Sequence, residues 1–239
     1  MNYIDSPYLP KKRASLFIAD THIENAVVIR PPQIFCMQTS MQHHADLGIS
    51  IISKKMAVCA KETYTYYKGA LSEFGFEIIE GNSSLKGNYP HVCAYNVGIA
   101  GKKCFMNTKI CDSTLFNALK NNGYDIIHVN QGYAKCSMCA VDENSLITSD
   151  VSIYRAATQR KMDALLVSND NIKLDGFENG FFGGASGFDG ENIIINGNAK
   201  RLSDYEAIKK FLSERGIGII SLKDGDITDI GSIIPLMTT

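Results

Sequence analysis

The stretch CSMCAVDENSLITSDVSIYRAATQRKMDALLVS, residues 136–168, contains every element of one small structural unit. Two apolar runs on either side of the polar turn DEN predict two strands joined by a hairpin. Residues 151–161 then predict an amphipathic helix, and ALLVS at 164–168 predicts a third strand. The pattern therefore indicates a unit of strand, strand, helix and strand.

The same unit recurs on both sides of this stretch. In one copy Tyr205, Ile208 and Leu212 are spaced i, i+3 and i+7, which places them on one face of a helix. In another copy Asp112 suits the N-cap of the helix and Gly123 its end. Four complete copies are predicted, at about 43–81, 88–130, 131–168 and 180–222.

The spacing of these copies predicts the architecture. Asp46, His91 and Cys136 follow one another at intervals of 45 residues, a period typical of propeller-like or solenoid arrays. A fifth unit begins at 223–239, and the N-terminal run at 14–30 can supply its missing strands and close the ring. We expect a single α/β domain spanning residues 1–239, with five pseudo-symmetric ββαβ blades.

The composition argues against several classes of partner and cellular location. The chain has 239 residues, a net charge of −1 and 21% charged residues, so neither nucleic acid nor an anionic membrane surface is an expected partner. No apolar run reaches the ~18 residues of a membrane span, and the N-terminus lacks a signal-peptide core, so we expect a cytoplasmic protein. Seven cysteines without framework spacing fit a reducing compartment. We expect no cofactor, and the sequence leaves the oligomeric state open.

The pair Cys136 and Cys139 raises the question of a metal or redox site. Residues three apart on a predicted strand face opposite sides, and no second pair is present to complete four zinc ligands. We expect Cys139 to pack in the core. Cys136 then shares its register with Asp46 and His91 and faces the ring axis.

The chain resembles the penteins, the guanidino-group-modifying superfamily, whose five ββαβ blades surround a pseudo-fivefold axis. The resemblance is carried by HADLGISII, SLKGNYPHVCAYN, KCSMCAVDENSLITS and DGDITDIGSII, and it is strongest toward dimethylarginine dimethylaminohydrolase. The superfamily also includes arginine deiminase, amidinotransferases and a non-catalytic ribosome anti-association factor. The chain further resembles an uncharacterised group of clostridial-type proteins through its GFxGGxSG and DIGSIIPL signatures.

The resemblance implies that the usual catalytic residues are replaced. The family's nucleophilic Cys corresponds to Asp229 or Ile230, and its acid–base His corresponds to Gln131. His91 takes the place of an acidic residue, and of a guanidinium-binding acidic pair only Asp46 is present. A glutamine cannot exchange a proton near neutral pH, so the usual mechanism cannot operate from these positions.

Two functional hypotheses follow. In the first, a small cationic, guanidino-like ligand or a protein partner binds in an axial funnel. Two carboxylates there favour a cation, and the resemblance places Lys109, as the nearest cation, where the family has a carboxylate-binding Arg. The expected binding residues are Asp46, Asp229, Gln131, Asn107, Lys109, Gly184 and Ser186.

In the alternative, the protein is a diverged hydrolase or transferase acting on C–N bonds, with Cys136 as the nucleophile and His91 as its base. Two simpler interpretations stay open. One makes Cys136 a packing residue, and the other places a divalent cation between Asp46, His91 and Asp229. At most one of His43 and His44 can face the funnel, because adjacent residues on an extended chain point apart.

Overall fold

The computed structural model describes residues 1–239. Its five α-helices are α1 Ala45–Gly48, α2 Lys61–Ser72, α3 Ser113–Asn121, α4 Val151–Gln159 and α5 Tyr205–Ser213. Its strands are β1 Asn2–Tyr3, β2 Ala14–Ile18, β3 Val27–Ile29, β4 Ile49–Ile51, β5 Met56–Cys59, β6 Glu77–Glu80, β7 Gly98–Ala100, β8 Lys103–Met106, β9 Asp125–His128, β10 Met138–Asp142, β11 Ser145–Thr148, β12 Asp163–Leu166, β13 Ile172–Lys173, β14 Ser186–Phe188, β15 Asn192–Ile195, β16 Gly218–Ser221, β17 Ile227–Thr228 and β18 Ile234–Thr238.

Four sheets share one topology. The first is β4-β5-β6, the second β7-β8-β9, the third β10-β11-β12 and the fourth β14-β15-β16. In each sheet the first two strands are antiparallel and the last two are parallel. A helix, α2 to α5 in turn, connects the two parallel strands, as a parallel pair requires a crossover.

A fifth sheet is built from the two ends of the chain in the order β1-β18-β2-β3. Strand β18 pairs antiparallel with both β1 and β2, and β2 pairs parallel with β3. The prediction that residues 14–30 provide strands for the C-terminal segment is confirmed by this pairing. Unlike the other units, the connection between β2 and β3, residues 19–26, contains no helix.

The helices begin and end close to where the sequence predicts. Asp112 Oδ1 accepts a hydrogen bond from the Leu115 amide at 3.0 Å, and Asp150 Oδ1 accepts one from Ile153 at 2.9 Å. These bonds satisfy amides that have no partner within the first turn of α3 and α4. Gly123 follows α3 with a φ of 75°, a left-handed conformation that favours glycine at a helix end.

Helices α2, α4 and α5, or residues directly after them, also contact the preceding unit. Arg160, just after α4, pairs with Asp125 at the start of β9, and Arg215, just after α5, pairs with Asp163 at the start of β12. Tyr66 of α2 donates a 2.7 Å hydrogen bond to the carbonyl of Arg30, one residue after β3. Neighbouring units are therefore joined by a helix that lies between their sheets.

The start of each first strand differs from the prediction. Asp46 lies in the helical turn α1, His91 in a 3-10 turn at His91–Cys93, and Cys136 in a turn at 134–137. Residues 182–185 form a similar turn before β14. Bonds such as Leu47 N to His44 O, 3.3 Å, close these turns. Apolar alternation does not distinguish such a short turn from the strand that follows it, so the predicted strands began too early.

The turn at 134–137 also changes the argument about the pair Cys136 and Cys139. Cys136 precedes β10 and Cys139 lies within it, so the inference from opposite strand faces is wrong in its premise. No three His, Cys, Asp or Glu side chains converge in a way that would hold a metal ion. None of the helices combines the length and apolar character needed to cross a membrane.

Candidate functional site

Seven polar residues meet where the turns before the first strands come together. All seven are buried, and Asp46, Asn96 and Ser232 are each no more than 1% exposed. We call this group the buried polar cluster. Its members are His44, Asp46, Asn96, Lys135, Cys136, Asp229 and Ser232.

The Asp46 carboxylate lies at the centre of the cluster. Its Oδ2 accepts hydrogen bonds from Ser232 Oγ at 2.6 Å and from Cys136 Sγ at 3.0 Å. Ser232 Oγ in turn accepts a 3.0 Å bond from Lys135 Nζ. The Ser232 hydroxyl therefore bridges the lysine ammonium and the Asp46 carboxylate. Asp46 Oδ1 is buried and has no hydrogen-bond partner.

Asn96 fixes the position of Cys136. Its Oδ1 accepts bonds from the amides of Lys135, at 2.7 Å, and Cys136, at 3.3 Å. Its Nδ2 donates to the backbone carbonyl of Asp46 at 3.0 Å and to Cys136 Sγ at 3.1 Å. One side chain therefore joins the first, second and third sheets.

Asp229 forms the other half of the cluster. Its Oδ2 accepts from the Phe181 amide at 2.8 Å and its Oδ1 from the Gly231 amide at 3.0 Å. His44 Nδ1 lies 3.9 Å from Oδ1, and His44 Nε2 is buried without a partner. Burial raises the pKa of Asp229 above its usual value, and nearby Asp46 adds to this, while His44 acts in the opposite direction.

The environment of Cys136 keeps it a thiol. Burial raises the pKa of Cys136 well above the usual value, and the carboxylates of Asp46 and Asp229 raise it further. The thiolate is the nucleophilic form of cysteine. At neutral pH Cys136 is therefore a hydrogen-bond donor to Asp46 and not an activated nucleophile.

Of the predicted binding residues Gly184 and Ser186, only Gly184 contributes to the cluster, and it does so through its backbone. The Gly184 amide donates a 2.7 Å bond to the Cys136 carbonyl, and a side chain at Gly184 would overlap the Asp229 carboxylate. Ser186 is buried, but its hydroxyl donates to the Phe182 carbonyl at 2.7 Å and is occupied there. Gly184 is thus required for the approach of Asp229 to the cluster.

The other predicted residues bond elsewhere. His91 is exposed and its side chain forms no hydrogen bond or ion pair, so no contact joins it to Cys136 or Asp46. Gln131 Nε2 donates to Asp150 at 3.0 Å, and Asn107 Nδ2 donates to the Asn130 carbonyl at 3.2 Å. Lys109 is exposed. The cation beside the carboxylates is Lys135, and the expectation that it would be Lys109 is wrong.

Of the two adjacent histidines, only His44 is in the cluster. His43 lies outside it, with Nδ1 3.1 Å from the Pro31 carbonyl.

Sequence reasoning missed Asn96, Lys135 and Ser232. Asn96, Cys136 and Gly184 each stand two residues before the first strand of their sheet, and Ser232 stands two residues before β18. The sequence repeat therefore does mark these four residues, but only when each copy is aligned on the observed start of its strand.

The fold is similar to those of several solved guanidino-group enzymes. An amidinotransferase from Microseira wollei, SxtG of the saxitoxin biosynthetic pathway, matches at a TM-score of 0.56 and 11% identity, over 92% of this chain and 91% of that one. The agmatine deiminase of C. jejuni matches at 0.55 and 13%, over 92% and 83%. The dimethylarginine dimethylaminohydrolase of Pseudomonas aeruginosa, solved with citrulline, matches at 0.55 and 8%, over 88% and 92%.

At such low identity, these similarities establish a mixed α/β fold of the pentein kind. The narrower resemblance to clostridial-type proteins stays a prediction. No curated protein matches the sequence. One family profile, described as a family of unknown function, DUF6873, matches residues 18–234. Because this match covers most of the chain, the chain belongs to the family of unknown function DUF6873.

Proposed function

We propose that this protein is a single-domain pentein whose five sheets close around a pseudo-fivefold axis, and that it binds a small cation of the guanidino or amidino type at the buried polar cluster. Three named structural relatives support the choice of ligand, since they are an amidinotransferase, an agmatine deiminase and a dimethylarginine dimethylaminohydrolase. The segments before β4, β7, β10 and β18 contribute to one cluster, which supports the closed ring.

The observation that carries the proposal is the unpartnered Asp46 Oδ1. A buried carboxylate oxygen without a donor costs free energy, and a bound donor restores it. Asp229 adds a second carboxylate in the same cluster, and its burial raises the pKa of that carboxyl above the usual value. A cation relieves both costs, and a planar guanidinium offers the donors that a carboxylate accepts.

The protein acts as a binder without the superfamily's usual chemistry. That chemistry needs a thiolate, whereas Cys136 is held as a thiol beside two carboxylates. The Gln131 amide is bonded to Asp150, and His91 contacts neither carboxylate. We therefore assign Cys136, Asn96 and Ser232 to holding Asp46 in place.

Thermal unfolding with added ligand tests this assignment. Agmatine, arginine and guanidinium at millimolar concentration are expected to raise the melting temperature of the native protein relative to equal ionic strength of KCl. Saturation at a hundredfold excess over Kd stabilises a folded protein by ~2.7 kcal/mol, which a thermal scan resolves easily. The Asp46→Asn variant should lose most of the shift, since an amide cannot pair with the cation.

The matched control is Asp170→Asn, an exposed aspartate whose side chain makes no hydrogen bond. It should retain the full ligand-induced shift. If none of the three compounds stabilises the native protein, the cluster is a structural network and the proposed ligand class is wrong.

A further inference from the structure

The missing helix of the fifth unit leaves a cavity between the fourth and fifth sheets. In the other units a helix lies between each sheet and the sheet before it, whereas residues 19–26 cross this space without one. A cavity of about 650 Å³ remains, within the range of small-molecule sites. It shares no lining residue with the buried polar cluster, so it is a separate site.

The cavity has an apolar wall and a polar end. Phe17 of β2, Ile194 of β15 and Ile220 of β16 form the wall. Arg13 and Asp189 lie at the polar end, where the Ala14 amide donates a 2.7 Å bond to the Asp189 carbonyl and fixes the two segments together. A second depression adjoins the cavity and shares Ser15, Asn25, Ala26 and Thr239 with it. The cavity therefore offers one apolar surface and one charged surface to a ligand.

Three polar groups at this end have unused hydrogen-bonding capacity. Ser15 Oγ lines the cavity, is buried and has no partner. Asp189 is 2% exposed, and its Oδ1 accepts from the amides of Glu191 and Asn192 at 2.8 and 2.6 Å. Its Oδ2 lies 4.0 Å from Arg13 Nε, too far for a hydrogen bond. An acceptor and a cation therefore stand side by side without satisfying each other.

We propose that this cavity binds a free α-amino acid with an apolar side chain, such as leucine. An α-amino acid carries an ammonium and a carboxylate on one carbon, a spacing that matches Asp189 beside Arg13. The ammonium donates to Asp189, the carboxylate accepts from Arg13, and the Ser15 hydroxyl bonds to either group. The side chain packs against Ile220 and Leu222, which are half-buried and line the cavity, and removes their apolar surface from water.

Isothermal titration of the full chain with L-leucine and two matched analogues tests this site. The analogue 3-methylbutylamine lacks the carboxylate, and 4-methylpentanoate lacks the ammonium. Leucine should bind, and each analogue should bind at least about tenfold more weakly, the effect of ~1.4 kcal/mol lost with one charged contact. Arg13→Gln, at a side chain that is 57% exposed, should weaken leucine to the level of 3-methylbutylamine without affecting folding.

A second pair of variants makes the test specific to this cavity. Asp189→Asn keeps an oxygen for the Glu191 and Asn192 amides, and it should weaken leucine by at least about tenfold. Asp46→Asn should leave leucine binding within about twofold, which separates this site from the buried polar cluster. Absence of leucine binding at 10 mM (about the weakest range titration detects) overturns the proposal. So does equal binding of leucine and both analogues, which would show an apolar cavity only.

Discussion

At the scale of the single residue, the reactivity of Cys136 distinguishes a binding function of the protein from a catalytic one. Its thiol is buried and donates to Asp46, so iodoacetamide should label it slowly from about pH 6 to pH 9 and only as fast as the protein unfolds. Cys36, which is exposed, should be labelled first. Peptide mapping of a labelling time course measures both rates. His91→Ala should leave the Cys136 rate unchanged, and rapid labelling below pH 7 that slows in His91→Ala would instead support the hydrolase alternative.

The candidate site was partly predictable at this scale. Asp46, Cys136 and Asp229 recur at nearly constant spacing, and the structure brings all three together. The role of Lys135 was not predictable. Its side chain bonds to Ser232, which is 97 residues away in sequence and close only in the folded chain. His91 matched the spacing equally well, yet the 3-10 turn leaves it exposed.

At the scale of the element, the N-cap of α4 supports both the helix and the loop before the third sheet. Asp150 accepts from the Ile153 amide, from Ser152 Oγ and from Gln131 Nε2. Asp150→Ala should therefore lower the free energy of unfolding by ~1–2 kcal/mol, the usual effect of losing a cap. Urea unfolding monitored by circular dichroism measures this change. Asp170→Ala, in an exposed turn, should stay within ~0.5 kcal/mol of the native protein, and equal losses in both variants would contradict the cap argument.

The helices were predictable at this scale because their signals are local. A polar cap, a stripe at 3.6-residue spacing and a final glycine are all visible in the sequence, as for α3 between Asp112 and Gly123. The first strands were less predictable. A single helical turn such as α1 has too few residues to show a period of its own.

At the scale of the whole molecule, the repeat predicted four sheets and a fifth made from both ends of the chain. The cavity beside that fifth sheet could not be predicted from the sequence, because the walls of the cavity come from strands far apart in sequence. Whether the five sheets form one closed ring stays a proposal, and the pairing of β1 with β18 makes it testable. Asn2 and Thr238 are direct partners, so the two ends of the chain are adjacent.

A circular permutant tests that arrangement. Joining Thr239 to Met1 through a short glycine linker and opening the chain in the exposed segment 223–226 should preserve cooperative thermal unfolding. A chain without residues 1–18 should fail to fold, because it lacks β2, the buried strand between β18 and β3. Differential scanning calorimetry compares the two. A folded truncated chain would show that the fifth sheet does not complete the molecule.

The position of β18 also sets when the fifth sheet can form during synthesis of the chain. The ribosome completes β1 and β2 first, yet the strand that lies between them is translated after the other seventeen. Until it emerges, the nascent chain carries an apolar β2 whose backbone groups have no antiparallel neighbour, a template for pairing with other chains. The fifth sheet therefore cannot form until β18 has left the ribosome, and β2 stays without its antiparallel partner until then.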